Sequence, residues 1–313
     1  MKCLVTGVAG FIGSHLAERL LEEGYEVVGV DSFTDFYPRW IKESNLQAFL
    51  AHPRFQFQEA DLNQVDLDSL LAGVEVIFHL AAQAGVRTSW GKNFADYIKN
   101  NIQATQKLLE ATKNKPLQKF IFASSSSVYG LSSSFPMVET SAVLPISPYG
   151  VTKLASEQLC FLYFKNYGLP TISLRFFTVY GPRQRPDMAF HKFFLSLLKD
   201  ETITIYGDGH QTRDFTFVAD IVEANLLALK RGREGETYNI GGGHQKELAQ
   251  VIPLMEEIAG RRARLQWFEP QKGDVPHTLA SIDKASVDLS YNPQTDLKEG
   301  LRQEWNWIKK LYG

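Results

Sequence analysis

Short, nearly unbroken apolar runs recur through the first half of the chain, and segments with helical spacing separate them. The runs cover 3–6, 26–30, 76–80 and 119–123. Strands covered on both faces read this way, because every side chain meets a packing layer. Two further strands are read at 55–59 and 171–176, where apolar and polar residues alternate. The segments at 14–23, 96–112 and from the neighbourhood of Tyr149 to about Tyr167 carry apolar residues at helical intervals. The first of these helices is ended by Gly24. This alternation predicts an α/β fold built on a doubly wound parallel sheet. Beyond about Thr178 the pattern loosens into a loop at 182–186, a helix at 188–199, shorter elements, and a last helix at 297–311. The expected division is a larger domain over 1–177 and a smaller α/β lobe over 178–313, with some segments returning to the first. Ser132, Ser133 and Ser134 read as a polar turn.

The first strand runs into Gly7-Val8-Ala9-Gly10-Phe11-Ile12-Gly13, and a helix follows. Glycines there permit a tight turn and let backbone approach a pyrophosphate, which the helix N-terminus favours. At a first strand–helix junction this marks a Rossmann-type dinucleotide site, the alternative being a packing turn. Asp31 closes the second strand, where a carboxylate bonds ribose hydroxyls and repels a 2′-phosphate, so NAD is expected over NADP. A turn cap is the other reading of Asp31. Asp61 and Leu62, after the third strand, fall where an adenine would lie, or Asp61 caps a turn. The fourth strand leads through Leu80, Ala81 and Ala82, small enough for close approach, to Arg87. Arg87 can meet a phosphate or carboxylate, or form a surface ion pair. Gly241-Gly242-Gly243 reads as a turn.

Tyr149 and Lys153 stand one helical turn apart, a spacing that puts a phenol and an ammonium on one face. The ammonium is expected to favour the phenolate, a base able to deprotonate a sugar hydroxyl. By itself the pair is also an ordinary surface Tyr and Lys. The serine run Ser124-Ser125-Ser126-Ser127 just upstream and the glycine loop make it a site beside a dinucleotide.

Composition narrows the rest. Hydrophobic residues make up 44% and charged residues 22% of 313, as in a globular protein. The net charge of -2 argues against nucleic acid or an anionic membrane as partner. An anionic ligand must then be met by individual arginines. Cys3 and Cys160 lie in apolar surroundings and read as buried hydrophobes, consistent with a reducing cytoplasm. The glycine-broken N-terminus is not expected to be a signal peptide, nor any segment a membrane span. The 7 histidines show no ligand spacing, so no metal site is expected.

Several stretches together resemble the extended short-chain dehydrogenase/reductases that act on nucleotide sugars, and among them the UDP-glucuronate 4-epimerases. They are His79 through Arg87, Ala123 through Gly130, Arg175 through Pro182, Arg185-Pro186-Asp187-Met188-Ala189, Arg213-Asp214-Phe215-Thr216 and Gly273-Asp274-Val275. The resemblance implies NAD as tightly bound cofactor and transient oxidation of the sugar at C4. It implies Tyr149 as base, Lys153 as its ribose-binding partner, Ser125 at the sugar 4-hydroxyl and Asn100 near the nicotinamide. Arg213 would hold the diphosphate, Asp274 the uridine ribose and Tyr206 the uracil side. Gln271 departs from the UDP-glucose 4-epimerases, which usually carry a diphosphate-binding arginine there. A homodimer through a helix pair is also implied, plain core helices being the alternative.

A glucuronate oxidised at C4 is a β-keto acid and loses CO2 readily. Related decarboxylases and 4,6-dehydratases usually carry Glu where this chain has Ser127. Ser126, Ser127 and Thr178 can hydrogen-bond the carboxylate and keep it charged, which opposes its loss. Arg185, in the 182–186 loop, is expected over the sugar or diphosphate, the alternative being an ion pair that ties the loop down. UDP-glucose 4-epimerase and UDP-glucuronate decarboxylase remain alternatives. Ser127 argues against the decarboxylase, and Thr178, where glucose epimerases tend to have Asn, against a neutral sugar. A catalytically silent NAD-binding sensor is the alternative of another class.

Overall fold

The computed structural model describes residues 1–132, 134–243 and 245–313. The strand segments read from the sequence form β1 (Lys2–Thr6), β2 (Glu26–Asp31), β3 (Phe55–Glu59), β4 (Val76–His79), β5 (Lys119–Ser125) and β6 (Thr171–Phe176). Between them lie α1 (Phe11–Glu22), α2 (Arg39–Leu46), α3 (Leu67–Leu70), α4 (Phe94–Tyr97), α5 (Ala104–Thr112) and α6 (Pro148–Tyr167). The later half supplies β7 (Thr178–Tyr180), α7 (Ala189–Lys199), β8 (Thr202–Tyr206), β9 (Thr212–Phe217), α8 (Val218–Arg231) and β10 (Thr237–Ile240). It ends with β11 (Gln245–Glu247), α9 (Leu248–Ala259), β12 (Arg264–Phe268), α10 (Asp283–Leu289) and α11 (Leu297–Tyr312).

The central sheet has 7 strands in the order β10-β6-β5-β4-β1-β2-β3. Every pairing in it is parallel. Side chains alternate across it as the pleat requires. Cys3, Val5, Phe78 and Ile121 join one core with Leu16 and Leu20 of α1 and Ile221 of α8. Leu4, Ile77 and Phe120 join a second core with Leu108 of α5 and Cys160 of α6. Each such side chain contributes about 1.5–3 kcal/mol by leaving water. The strand order reverses at β1 and β4, where a ligand crevice forms beyond the carboxyl ends of the strands.

The lobe holds two small sheets, β11-β9-β7 and β12-β8. One segment of the later half returns to the main sheet: β10 pairs with β6, Thr237 opposite Ser173. The first helix starts at Phe11, earlier than the expected 14, because Gly10 itself is the N-cap. The helix expected over 96–112 is interrupted by a π segment, Ile98–Gln103, between α4 and α5. That wide turn carries Asn101, whose amide accepts from the Gln83 N–H at 2.7 Å and donates to the Gln83 carbonyl at 3.0 Å. Of the polar turn expected at 132–134, Ser133 lies outside the described residues.

Candidate active site

A cavity of about 1840 Å³ runs along the crevice between the sheet and the lobe. Every residue singled out from the sequence for catalysis, cofactor or substrate lines it, from the glycine loop through the serine run and Tyr149 to Tyr206, Arg213 and Asp274.

At one end Gly7 takes a φ of +71°, a region open to glycine at little cost. A Cβ there would stand 2.9 Å from the Ala81 backbone, and one at Gly13 would stand 2.2 Å from the Gly7 carbonyl oxygen. The loop is therefore closed on itself as well as open to a ligand. Gly10 caps α1 with no side-chain hydrogen bond. The helix start thus offers its N–H groups to an anion. Thr6 accepts from the N–H groups of Leu80 and Ala81 at 3.1 and 3.0 Å, fixing the small-residue wall opposite. Asp31 accepts from Ala9 at 3.1 Å and Phe33 at 2.9 Å. Burial pushes its carboxyl up, while those N–H groups and the Lys42 ammonium act against this. Lys42 is anchored by the Thr34 carbonyl at 2.6 Å. Asp61 also bonds locally, to the Asn63 N–H at 2.9 Å, and pairs with Lys99 at 2.8 Å. The cap alternatives for both acids are therefore realised within the cavity wall. A backbone cradle that no Cβ could share, an uncapped helix start and an acid at the β2 end together fit a dinucleotide.

In the centre, Ser147 caps α6 by accepting from Gly150 at 3.1 Å, and Pro148 begins the helix. This start fixes Tyr149. Its ring packs edge-on against Tyr97 at 6.3 Å, and the Tyr97 hydroxyl donates to the Gly85 carbonyl at 2.7 Å. Asn100 lines the cavity. Asn101, not anticipated, donates to the Thr152 hydroxyl at 2.9 Å and so ties the wall of small residues to α6. Ser125 accepts from Ser127 N–H at 3.1 Å and holds the serine turn.

The electrostatics differ from the expectation. Burial raises the Tyr149 phenol, and the opposing effects come from the Ser125 hydroxyl and the Arg185 charge. The Lys153 ammonium lies over the Phe122 ring at 4.8 Å. Burial lowers that ammonium to about 8. The shared helix face is present, but the long Lys153 stem carries its charge toward β5. Arg185 comes from a distant loop and faces the phenol, so no local spacing announced it. Arg185 also forms the ion pair that was the alternative reading of it, binding Asp187 through two bonds of 2.9 and 3.0 Å.

At the lobe end Arg87 pairs with Asp274 at 2.7 Å and lies over the Tyr206 ring at 4.4 Å. The ion-pair alternative for Arg87 is thus present, and its partner is another predicted site residue. Arg213 donates to the carbonyls of Thr212 at 2.8 Å and Pro276 at 3.0 Å, which aim its stem along the cavity wall. Thr178 opens β7 beside the serine turn. The triple-glycine segment is a packing turn, with Gly242 N–H donating to Asp214 at 2.7 Å. Cys3 and Cys160 are free and buried. Among the described residues no group of His, Cys, Asp or Glu could hold a metal ion, and no helix is long and apolar enough to cross a membrane.

Comparison with known proteins adds to the geometry. Residues 3–241 match the model of the NAD dependent epimerase/dehydratase family. The chain is similar to an uncharacterized UDP-glucose epimerase, YtcB, of Bacillus subtilis, with 48% identity over 100% of this chain and 99% of that one. It is 38% identical to a UDP-glucuronate 4-epimerase of Thermodesulfobacterium geofontis, over 98% of this chain and 96% of that one. Its structure resembles that of UDP-glucuronic acid 4-epimerase from Bacillus cereus in complex with UDP-glucuronic acid and NAD. The TM-score is 0.97 at 48% identity, and all of both chains is covered.

Proposed function

The chain belongs to the NAD dependent epimerase/dehydratase family, and we propose on that footing that it interconverts UDP-glucuronate and UDP-galacturonate through transient oxidation at C4. The observation that carries this reading is a half-buried phenol, Tyr149, bonded by Ser125 and faced by Arg185, in one cavity with the glycine cradle.

NAD, held by the glycine loop and Asp31, supplies reversible acceptance of the C4 hydrogen together with its electron pair. Tyr149 takes the C4 hydroxyl proton as that hydrogen leaves, and returns it when the hydrogen comes back to the opposite face. Ser125 holds the same hydroxyl against the phenol, which keeps the proton path short. Arg185 favours the phenolate by charge, against its burial, and Lys153 serves the cofactor ribose. Arg213 and Arg87 meet the diphosphate, with Asp274 and Tyr206 beside the nucleoside. Binding there releases Arg87 from Asp274.

Ser126, Ser127 and Thr178 offer hydroxyls to the sugar carboxylate and hold its charge in place. No acid stands at position 127 to drive dehydration. The same cavity thereby guards a β-keto acid that would otherwise lose CO2.

We also place the enzyme in the cytoplasm as a homodimer. The two free cysteines suit a reducing compartment. On α6, Val151, Phe161 and Leu162 share one side and are between 45% and 46% exposed, an apolar face suited to a second copy. Light scattering that gives the mass of one chain would rule the dimer out.

The test of the activity is incubation with UDP-glucuronate followed by proton NMR. Conversion to UDP-galacturonate without UDP-pentose is expected. UDP-pentose as main product would make this a decarboxylase. Turnover of UDP-glucose alone would make it a neutral-sugar epimerase.

A further inference from the structure

Glu157 takes no part in the steps above, yet it stands one helical turn beyond Lys153 and two beyond Tyr149 on α6. Residues spaced by four share a helix face. Its carboxylate is 3% exposed and pairs with Arg175 of β6, itself 6% exposed. Arg175 Nε donates to Oε2 at 3.0 Å and Nη2 to Oε1 at 2.5 Å. Ser124, at the end of β5, donates to the same Oε2 at 2.6 Å. Arg175 Nη1 is bound as well, to the Tyr129 hydroxyl at 2.8 Å and the Glu139 carbonyl at 3.1 Å. One carboxylate thus joins the catalytic helix, the strand that leads into the serine turn, and the next strand of the sheet.

Stability alone does not explain such a pair. A buried ion pair loses so much hydration that two apolar residues of equal volume often do as well or better. What apolar residues cannot supply is a negative charge close to Lys153. The groups around that ammonium can be named. On α6 they are Tyr149, Glu157 and Cys160. From β4 comes His79, which burial pushes down to about 3 and therefore keeps neutral. From β5 come the Phe122 ring and the neutral Ser124, and from β6 Arg175 stands behind Glu157. Cys160 and Glu157 both act to keep Lys153 charged. Burial holds the Cys160 thiol far above its ordinary range, however, so it carries no charge at working pH. Glu157 is then the anion that acts on Lys153.

We propose that Glu157, clamped by Arg175, is a positioning residue of the active site: it holds Lys153 as an ammonium and locks the catalytic face of α6 to the serine end of β5. The proposal rests on Tyr149 and Lys153 being the catalytic face. Its test reads Lys153 directly and does not depend on turnover.

The substitution Glu157→Gln keeps the shape and an acceptor for Ser124, and it removes the charge. Lys153 lines the cavity wall with only 4% of its surface exposed, too little for chemical modification to report its titration. Heteronuclear NMR of protein carrying isotope-labelled lysine, recorded across a pH series without substrate, gives its titration midpoint. The midpoint of about 8 in the wild type is expected to fall by about one pH unit in E157Q. The alkaline limb of kcat/KM is expected to move down with it. E157D keeps the charge and should stay near the wild type in both readouts. Where E157Q alone folds poorly, the double variant E157Q/R175M removes both charges and should still place the Lys153 midpoint below that of the wild type. An unchanged Lys153 midpoint in E157Q, or an equal shift in E157D, would overturn the proposal and leave the pair a packing feature.

Discussion

Replacing Gly13 with alanine probes the cofactor cradle where it is tightest. The new Cβ would stand 2.2 Å from the Gly7 carbonyl oxygen and 2.9 Å from its carbon. Ordinary contact begins at 3.4 Å, and both obstacles are backbone, so no side-chain rotation relieves the clash. The start of α1 must therefore move from the β1 turn by about 1 Å, since close-packed interiors do not compress. Overpacking of this kind costs about 1–3 kcal/mol. In a chain of 313 residues that lowers Tm by about 2–6 °C. The helix N–H groups move with the turn. An anion at a helix start is worth up to about 2 kcal/mol, and 1.4 kcal/mol is tenfold in affinity, so NAD should bind roughly tenfold or more weakly. Calorimetric titration of cofactor-stripped protein with NAD, beside thermal melts, reads both effects. Two other variants separate the causes. Gly10→Ala meets the Gly7 oxygen at 3.1 Å and should show a smaller loss. Gly168→Ala meets nothing within 4 Å but sits at φ +67°. It should cost about 1 kcal/mol and leave NAD affinity untouched. A Gly13→Ala protein with wild-type Tm and wild-type NAD affinity would refute the cradle.

Tyr149→Phe should lower turnover by about 100-fold or more while UDP-glucuronate still binds, checked by a coupled rate assay and by calorimetry. Arg185→Met removes the charge that acts against burial of the Tyr149 phenol. The phenol rises further, so the acidic limb of kcat/KM should move to higher pH, and a pH profile with an unmoved limb contradicts the assignment. Ser127→Glu should raise the ratio of UDP-pentose to epimer in the NMR assay, and a wild-type ratio would remove Ser127 from the guarding of the carboxylate. Glu304 accepts from Gly181 N–H at 2.9 Å, and burial holds its carboxyl well above the usual range. A raised folded-state value means that its stabilising form, the neutral acid, is lost as pH climbs through that value. Glu304→Gln keeps the acceptor and cannot ionise, so its Tm should exceed the wild type at about pH 8 and converge on it at about pH 4.

What the sequence disclosed and what it withheld divide along sequence separation. Val76–His79 announced itself because a strand covered on both faces draws apolar residues on both, and Thr171–Phe176 through the alternation of Ile172, Leu174 and Phe176 with polar residues. The glycine loop was legible because its constraint is local: a positive φ at Gly7 and a turn that leads straight into a helix. Tyr149 and Lys153 were legible as a pair for the same reason. Their electrostatics were not, because Arg185 reaches the phenol from a different loop and Lys153 is drawn to Phe122 by tertiary packing. The helix α2 was missed, since Arg39–Leu46 has only Ile41, Lys42, Asn45 and Leu46 buried. The β8–β12 pairing joins Thr202–Tyr206 to Arg264–Phe268, an edge strand too short for its alternation of Leu265 and Trp267 to stand out and exposed at every position. Glu157 had one signal available, its place in the same helical repeat as Tyr149 and Lys153. Arg175, its partner, sits inside a fully buried strand, and only the fold brings the two together.

The return of β10 to the edge of the main sheet bears on the order in which the molecule can be made. On a growing chain, β6 emerges with one side already matched by β5, and its other side waits until β7 through α8 have been synthesised. Until then the fully buried run Thr171–Phe176 is an open edge, the geometry that pairs with stray strands. The lobe is therefore not an appendage fitted to a finished domain. Its polypeptide closes the domain, and a fragment ending at Arg231 is expected to aggregate rather than bind NAD.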